Sequence, residues 1–306
     1  MTAKLFFCFP GQGVQYPGML ENIAHREKWL SQASEALNKD LFGIDSAQAL
    51  EHTHAVQLCL LISATAQGET LKAAGIRPDF VAGLSIGAFA AAVCCGSLEF
   101  DDAVRLVALR GELMEHAYPS GYGMTVIIGL HFDKVERLCL ATSGVYIANY
   151  NAETQIVIAG SEEGMADVCQ QALEKGANRV QRINISVPSH CKLLQDASEQ
   201  LAQAFDSVSL KRPCCTYLSG STGRAVWQPE AIKADLVRNM ARMTRWHDVA
   251  IAAHERGARL AIELPPGNIL TKLNAAEFGS ENVVSCAETN VEKLKDWLEC
   301  RSVSAQ

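Results

Sequence analysis

No apolar run in this 306-residue chain approaches the length of about eighteen residues that carries a helix across a bilayer, so a membrane protein is not expected. An excess of positive charge is missing too. With 27 Lys and Arg against 34 Asp and Glu, the formal net charge is −7, which gives nucleic-acid binding no global support. The 11 cysteines form no C-x-x-C pair, and Cys94-Cys95 and Cys214-Cys215 are chain neighbours rather than a metal clip. No metal site is therefore expected, and the thiols read as reduced and mostly buried in a cytoplasmic protein. The opening "MTAKLFFCFPGQG" lacks the small-residue cleavage pattern of a secretory signal, so export is not expected. Repeats and low-complexity linkers are absent as well.

What is present is the texture of an α/β protein. Leu5 to Phe9 is an unbroken apolar run, the mark of a strand buried on both faces, and it stops on the glycine-rich "GQGVQYPG". Helices are expected from Glu21 to about Asn38, from Thr53 to a stop at Gly75, and from Asp101 to His116. Between the last two lies "DFVAGLSIGAFAAAVCCGSL", which reads as a strand (Phe80 to Ala82), a tight turn holding Ser85, and a helix (Ile86 to Cys95). From Met124 to Ser186 the order becomes "MTVIIGL", a helix near Asp133 to Thr142, "VYIANY", "QIVIAGS", a helix near Glu162 to Lys175, and "RVQRINIS". That β-α-β-β-α-β order is the ferredoxin-like split unit, so residues 124–186 read as a compact insert between residues 1–123 and 187–306. Beyond it the pattern predicts helices from Cys191 to Phe205, Ala231 to Met240 and Asp248 to Arg256, a strand near Thr216 to Ser219, and a last strand "RLAIEL" ending on "PPGNIL".

"GLSIG", Gly83 to Gly87, fits G-x-S-x-G, in which a serine sits on a strained strand-to-helix elbow that exposes its hydroxyl. The N–H after the serine, that of Ile86, points to where an oxyanion would form. A serine nucleophile needs a base. Of the eight histidines, His25, His52 and His54 lie on polar or helical segments, and His116, His247 and His254 sit in or beside helices. His190 differs, because "VPSHC" follows the last strand of the insert and opens a helix, placing the imidazole where insert and main unit meet. The opening turn supplies the remaining part: a glycine-flanked loop at a strand's carboxyl end can present a bare N–H, and Gln12 is positioned to give it. A dinucleotide-binding turn fails on detail, since Tyr16 replaces the third glycine of G-x-G-x-x-G and Pro17 disrupts the helix opening. Arg110, in the largely apolar "LVALRGELMEHA", pairs either with a core carboxylate or with a ligand carboxylate.

Six segments in order, "FPGQGVQ", "GLSIGA", "LRGELM", "NYNAETQIVIAG", "VPSHC" and "ELPPGNIL", resemble the malonyl-CoA:acyl carrier protein transacylases over nearly the whole chain. The resemblance implies an α/β fold, with an α/β-hydrolase-like large subdomain and an inserted ferredoxin-like small subdomain. It implies Ser85 as nucleophile, His190 as base, Gln12 and Ile86 as oxyanion donors, and Arg110, beside Leu84 and Ser189, on the malonyl group. A backbone carbonyl near Leu264 would orient His190. Leu84 stands where members serving fatty acid synthesis usually carry histidine, and Pro265 where glycine is common. With "DSAQALEHTHAVQLCLLI" and "RWHD", these features look like the malonyltransferase (epsilon) subunit of biotin-independent malonate decarboxylase. The implied activity moves a malonyl group from malonyl-CoA to the prosthetic thiol of an acyl carrier protein subunit, with other malonate decarboxylase subunits as possible partners and no cofactor beyond the coenzyme A thioester. The alternatives are a transacylase of fatty acid synthesis, a serine esterase using His247 or His254 with Glu230 or Asp235, and a non-catalytic carrier-binding subunit. Arg179, Arg182 and Lys192 are the candidate basic patch for an acidic carrier.

Overall fold

The computed structural model describes residues 3–118 and 120–304. Its first part runs β1 (Lys4–Phe9), α1 (Arg26–Leu37), α2 (Thr53–Ala73), β2 (Phe80–Gly83), α3 (Gly87–Cys94) and α4 (Phe100–Ala117). Then come β3 (Tyr122–Ile128), α5 (Phe132–Ala141), β4 (Val145–Ala152), β5 (Gln155–Ser161), α6 (Glu162–Glu174) and β6 (Arg179–Ile183). The remainder is α7 (Gln195–Ala204), β7 (Thr216–Leu218), β8 (Ala225–Val226), α8 (Pro229–Arg238), α9 (Trp246–Glu255), β9 (Ala258–Glu263), α10 (Ile269–Phe278), β10 (Val283–Ser285) and α11 (Val291–Ser304).

β1 lies inside a six-stranded sheet of order β10-β9-β1-β2-β7-β8, parallel except for β8, which returns antiparallel from β7. Phe6, Phe7, Cys8 and Phe9 are fully buried, as a continuous apolar strand between parallel neighbours must be. Their side chains alternate between two cores. Phe7 and Phe9 join Leu58, Leu61 and Ile62 of α2, Phe89 of α3 and Val107 of α4; Phe6 and Cys8 join Trp246 and Val249 of α9 and Leu270 of α10. Each buried phenylalanine contributes roughly 1.5–3 kcal/mol of transfer free energy. Helices thus cover both faces of the sheet, and α2, apolar around most of its circumference, is correspondingly buried.

β3 to β6 form a separate antiparallel sheet of order β4-β5-β3-β6, the ferredoxin-like arrangement, spanning Tyr122 to Ile183. Along β5 the faces separate: Ile156 and Ile158 pack with Val135 and Leu138 of α5 and Val168 of α6, whereas Val157 and Ala159 pack with Met124, Ala148 and Cys191. The second face therefore looks toward the large subdomain. A main-chain strap joins the two, with Tyr150 N–H donating to the Thr244 carbonyl and Thr244 N–H to the Ala148 carbonyl, both at 2.8 Å.

Two sequence expectations need correction. The helix expected from Cys191 opens as a 3-10 turn, Lys192–Leu194, and becomes α-helical only at Gln195, because His190 takes a left-handed φ of 63° and Cys191 is extended. Nor is β9 the last strand, since β10 follows it. At three residues β10 is too short to carry a periodic signal.

Candidate active site

β2 ends at Gly83 and α3 begins at Gly87, so Leu84, Ser85 and Ile86 make the whole turn. Ser85 takes a φ of 55°, a conformation disfavoured for a residue with a side chain and held here by its surroundings. A Cβ on Gly83 would overlap the main chain of Gly87 and Ala88, and one on Gly87 would overlap the Phe9 carbonyl. Glycine at both positions is thus a steric requirement of the elbow. Leu84 N–H donates to the Phe9 carbonyl at 2.9 Å, which ties the turn to the end of β1 and brings residues 10–13 beside Ser85. Among the described residues, neither the Gln12 nor the Ile86 N–H meets an acceptor. Both remain available to an incoming oxygen.

His190 is buried, with Nδ1 2.6 Å from the main-chain oxygen of Asn239 and 3.1 Å from Thr244 Oγ1. A carbonyl only accepts, so the proton sits on Nδ1 and Nε2 keeps its lone pair. Burial, and after it the Arg110 charge, pushes the imidazole down to about 4, leaving it neutral near pH 7. The carbonyl near Leu264 expected to orient this ring does not do so. Asn239, in the turn after α8, fills the role instead, and Leu264 donates its N–H to Cys8.

Arg110 is fully buried on α4. Its Nη1 donates to Gln57 Oε1 at 2.7 Å, and its Nη2 donates to Ser85 Oγ at 3.1 Å and to Asn239 Oδ1 at 3.2 Å. All three partners are neutral, and among the described residues Nε has none. Burial without a carboxylate draws the guanidinium down from its ordinary range to about 9, so it is still cationic at neutral pH. Of the two roles open to Arg110, pairing with a core carboxylate is not the one found among the described residues.

Gln12, Leu84, Ser85, Ser189 and His190 line one cavity of about 220 Å³ at the carboxyl ends of β1 and β2, closed on the other side by Met124, Val126, Val157 and Ile185. Arg110 reaches Ser85 from the protein interior, and Ile86 is fully buried, so only its N–H bears on the site. In this structure the Ser85 hydroxyl is bonded to Arg110 and, among the described residues, not to His190. An elbow hydroxyl, a neutral imidazole with an oriented free nitrogen, two free N–H groups and a buried cation can together run acyl transfer. The histidines of the esterase alternative lie elsewhere: His254 pairs with Glu277 at 2.6 Å, and the His247 ring packs on Tyr150 at 4.8 Å. Asp235 accepts from Tyr217, Ser219 and Ser221.

The family model for the acyl transferase domain matches residues 6–294. The chain belongs to this acyltransferase family, and its relatives are transacylases. It is 33% identical over 295 residues to the malonyl CoA-acyl carrier protein transacylase of Haemophilus influenzae, covering 92% of this chain and 95% of that one. The solved structure of the malonyl CoA-acyl carrier protein transacylase from Coxiella burnetii superposes with a TM-score of 0.91 at 32% identity, covering 98% of both chains. A malonyl-transacylase solved in complex with its type II PKS acyl-carrier protein gives a TM-score of 0.88 at 31% identity, covering 97% of this chain and 99% of that one. The acyltransferase fold therefore has the two expected subdomains.

Several residues of this acyltransferase site escaped the sequence reading. Gln57 is a fully buried amide on the largely apolar α2, which was its signal; it also donates to Gln12 Oε1 at 3.0 Å. Asn149 and Asn151, inside the quoted "NYNAETQIVIAG", line the cavity, and each has a buried Oδ1 with no partner among the described residues. Asn239 and Thr244 gave no signal. Arg182, one of the candidate docking charges, is exposed, lies 3.5 Å from Glu162 and also has a structural role. Its guanidinium donates to the carbonyls of Tyr122 and Met124 at 2.8 Å and of Ile185 at 3.3 Å, bolting β3 to β6.

Proposed function

We propose that the protein transfers a malonyl group from malonyl-CoA to the thiol of an acyl carrier protein's prosthetic arm through an ester on Ser85. The carrying observation is Arg110, a fully buried cation 3.1 Å from the Ser85 hydroxyl with only neutral partners. A guanidinium so placed calls for an anionic acyl group. Its closeness to Ser85 suits one in which a single methylene separates the carboxylate from the thioester carbonyl.

In the reaction, His190 Nε2 takes the Ser85 proton as Oγ attacks the thioester carbonyl carbon. The oxyanion is held by the Gln12 and Ile86 N–H groups. Collapse breaks the C–S bond, and the imidazolium returns its proton to the departing coenzyme A sulfur. The carrier thiol then runs the same steps in reverse, giving the malonyl thioester and free Ser85. Nδ1–H, bonded to Asn239, keeps the ring oriented throughout.

For the acceptor, the relatives' names favour a carrier protein of the kind served by malonyl CoA-acyl carrier protein transacylases over a malonate decarboxylase subunit. Leu84, which suggested the latter, brings no proton-transfer group. The deciding experiment incubates radiolabelled malonyl-CoA with wild-type, Ser85→Ala and His190→Ala proteins. Label is expected on wild type, none on Ser85→Ala and a trace on His190→Ala; robust labelling of Ser85→Ala would sink the assignment. Chasing labelled enzyme with a phosphopantetheine carrier or with a carrier bearing the phosphoribosyl-dephospho-CoA arm then names the acceptor.

A further inference from the structure

Arg110 raises a question that its role as a carboxylate receptor does not answer: what keeps a fully buried guanidinium aimed at Ser85 without pairing it off? Buried arginines ordinarily meet a carboxylate. Here the two side chains that hold it, besides Ser85 itself, are both primary amides, Gln57 on Nη1 and Asn239 on Nη2. Each amide is fixed end for end. Because arginine only donates, Asn239 must turn Oδ1 to Arg110, which leaves Nδ2 to donate to the Ser85 carbonyl at 3.2 Å. By the same logic Gln57 turns Oε1 to Arg110 and Nε2 to Gln12 Oε1. The Asn239 main-chain oxygen meanwhile takes Nδ1 of His190 at 2.6 Å. One residue, 4% exposed, thus touches the elbow, the guanidinium and the imidazole.

We infer that Asn239, seconded by Gln57, sets the acyl-group specificity of this site by positioning Arg110 with neutral oxygens, so that its positive charge stays free for the substrate carboxylate. The inference rests on the malonyl-transfer reading. An amide oxygen gives Arg110 a hydrogen-bond partner and fixes its direction but adds no net charge. A carboxylate of the same shape would hold the guanidinium at least as firmly and would also neutralise it, confronting an incoming malonyl carboxylate with a like charge. An uncharged acyl group would meet no such repulsion. The malonyl-to-acetyl ratio therefore responds to one isosteric change as a merely structural role would not, and this separates positioning for function from positioning for structure.

The test is Asn239→Asp, with Gln57→Glu as the second variant on the other end of Arg110. For each, the kcat/KM of enzyme acylation is measured with malonyl-CoA and acetyl-CoA, beside thermal melting. Each variant also loses the N–H that Asn239 gives the Ser85 carbonyl or Gln57 gives Gln12, so the deciding quantity is the ratio: malonyl kcat/KM is expected to fall roughly 10²-fold or more relative to acetyl kcat/KM, chiefly through KM. Arg110→Ala placed in the Asn239→Asp background should lower malonyl kcat/KM much less than it does in wild type, because the charge is already neutralised. Wild-type protein that accepts malonyl beside variants with an unchanged malonyl-to-acetyl ratio overturns the role of the amides. So does a parallel loss of both substrates with lowered melting. Wild-type protein that accepts no malonyl instead overturns the functional reading beneath it.

Discussion

Arg110 Nη2 and Ser85 Oγ stand 3.1 Å apart, and among the described residues no acidic side chain pairs with the guanidinium. The chain thereby keeps a desolvated cation beside a hydroxyl on a strained elbow. Such a cation is destabilising to the free protein, which is why burial alone draws it down to about 9. A ligand carboxylate entering the cavity would restore the lost interaction and be oriented by it, so part of the binding free energy is realised only with the acyl group that fits.

The elbow should not tolerate side chains at its glycines. Gly83→Ala or Gly87→Ala places a Cβ into main-chain atoms of α3 or of Phe9, neither of which is a flexible side-chain end. Destabilisation of about 3 kcal/mol or more is expected, read as lower yield and an earlier urea midpoint. Wild-type stability in either variant would remove the steric account of the turn.

Acid should act on His190 at two levels. Its folded pKa of about 4 lies below the ordinary 6.5, so as the pH falls through that interval the unfolded chain takes up a proton that the native site refuses. Stability from this group is full above pH 6.5, declines between 6.5 and about 4, and levels off below, a change of about 3 kcal/mol. The acid limb of kcat/KM for malonyl-CoA should likewise fall near 4 rather than 6.5. Urea titrations at several pH values on wild type and His190→Gln, whose stability should lose this part of its pH dependence, check the first. A pH–rate profile checks the second.

How far the sequence foretold this arrangement depends on what kind of atom does the work. The elbow was legible because its glycines are forced by sterics, and the ferredoxin-like unit because periodicity switches along the chain. Arg110 was legible because a charge on an apolar helix face is anomalous. Asn239 was not: it holds His190 by a main-chain oxygen, which every residue has, and the loop carrying it meets the elbow only in three dimensions. For the same reason the orienting carbonyl was misplaced near Leu264. For Arg182, likewise, sequence registers the charge but not the three carbonyls that hold it.

The cavity wall opposite Ser85 carries its own expectation. Asn149 and Asn151 are 7% and 9% exposed, and among the described residues their Oδ1 atoms have no partner. Unpaired acceptors beside Gln155, in a wall made otherwise by Met124, Val126, Val157, Ile183 and Ile185, suit the amide N–H groups of a pantetheine arm. Replacing either by Ala should raise KM for malonyl-CoA about 10-fold with little change in kcat, one hydrogen bond being worth roughly 1.5 kcal/mol there. N-acetylcysteamine thioesters, which retain only one of the arm's amides, should be less affected. An unchanged KM in both variants would assign these atoms to structure alone.

The sharpest expectation concerns Arg110 and separates charge from shape. Arg110→Ala removes the cation and leaves the Gln57 and Asn239 oxygens without their shared donor. Malonyl kcat/KM should fall by roughly 10²- to 10⁴-fold, about 3 to 5 kcal/mol, while acetyl transfer changes far less. Arg110→Lys should recover only part of the loss, because an ammonium keeps the charge without the fork that meets Gln57, Ser85 and Asn239 from two nitrogens. If Arg110 served packing alone, both substrates would suffer equally and the melting temperature would drop with them. Arg110→Met, which fills much of the same volume but leaves the Gln57 and Asn239 oxygens equally unpaired, should show the same selective loss of malonyl transfer as Arg110→Ala with less disturbance of packing. A collapsed malonyl-to-acetyl ratio would confirm that the chain keeps this charge for its substrate, and a lower melting point with parallel loss of both activities would refute it.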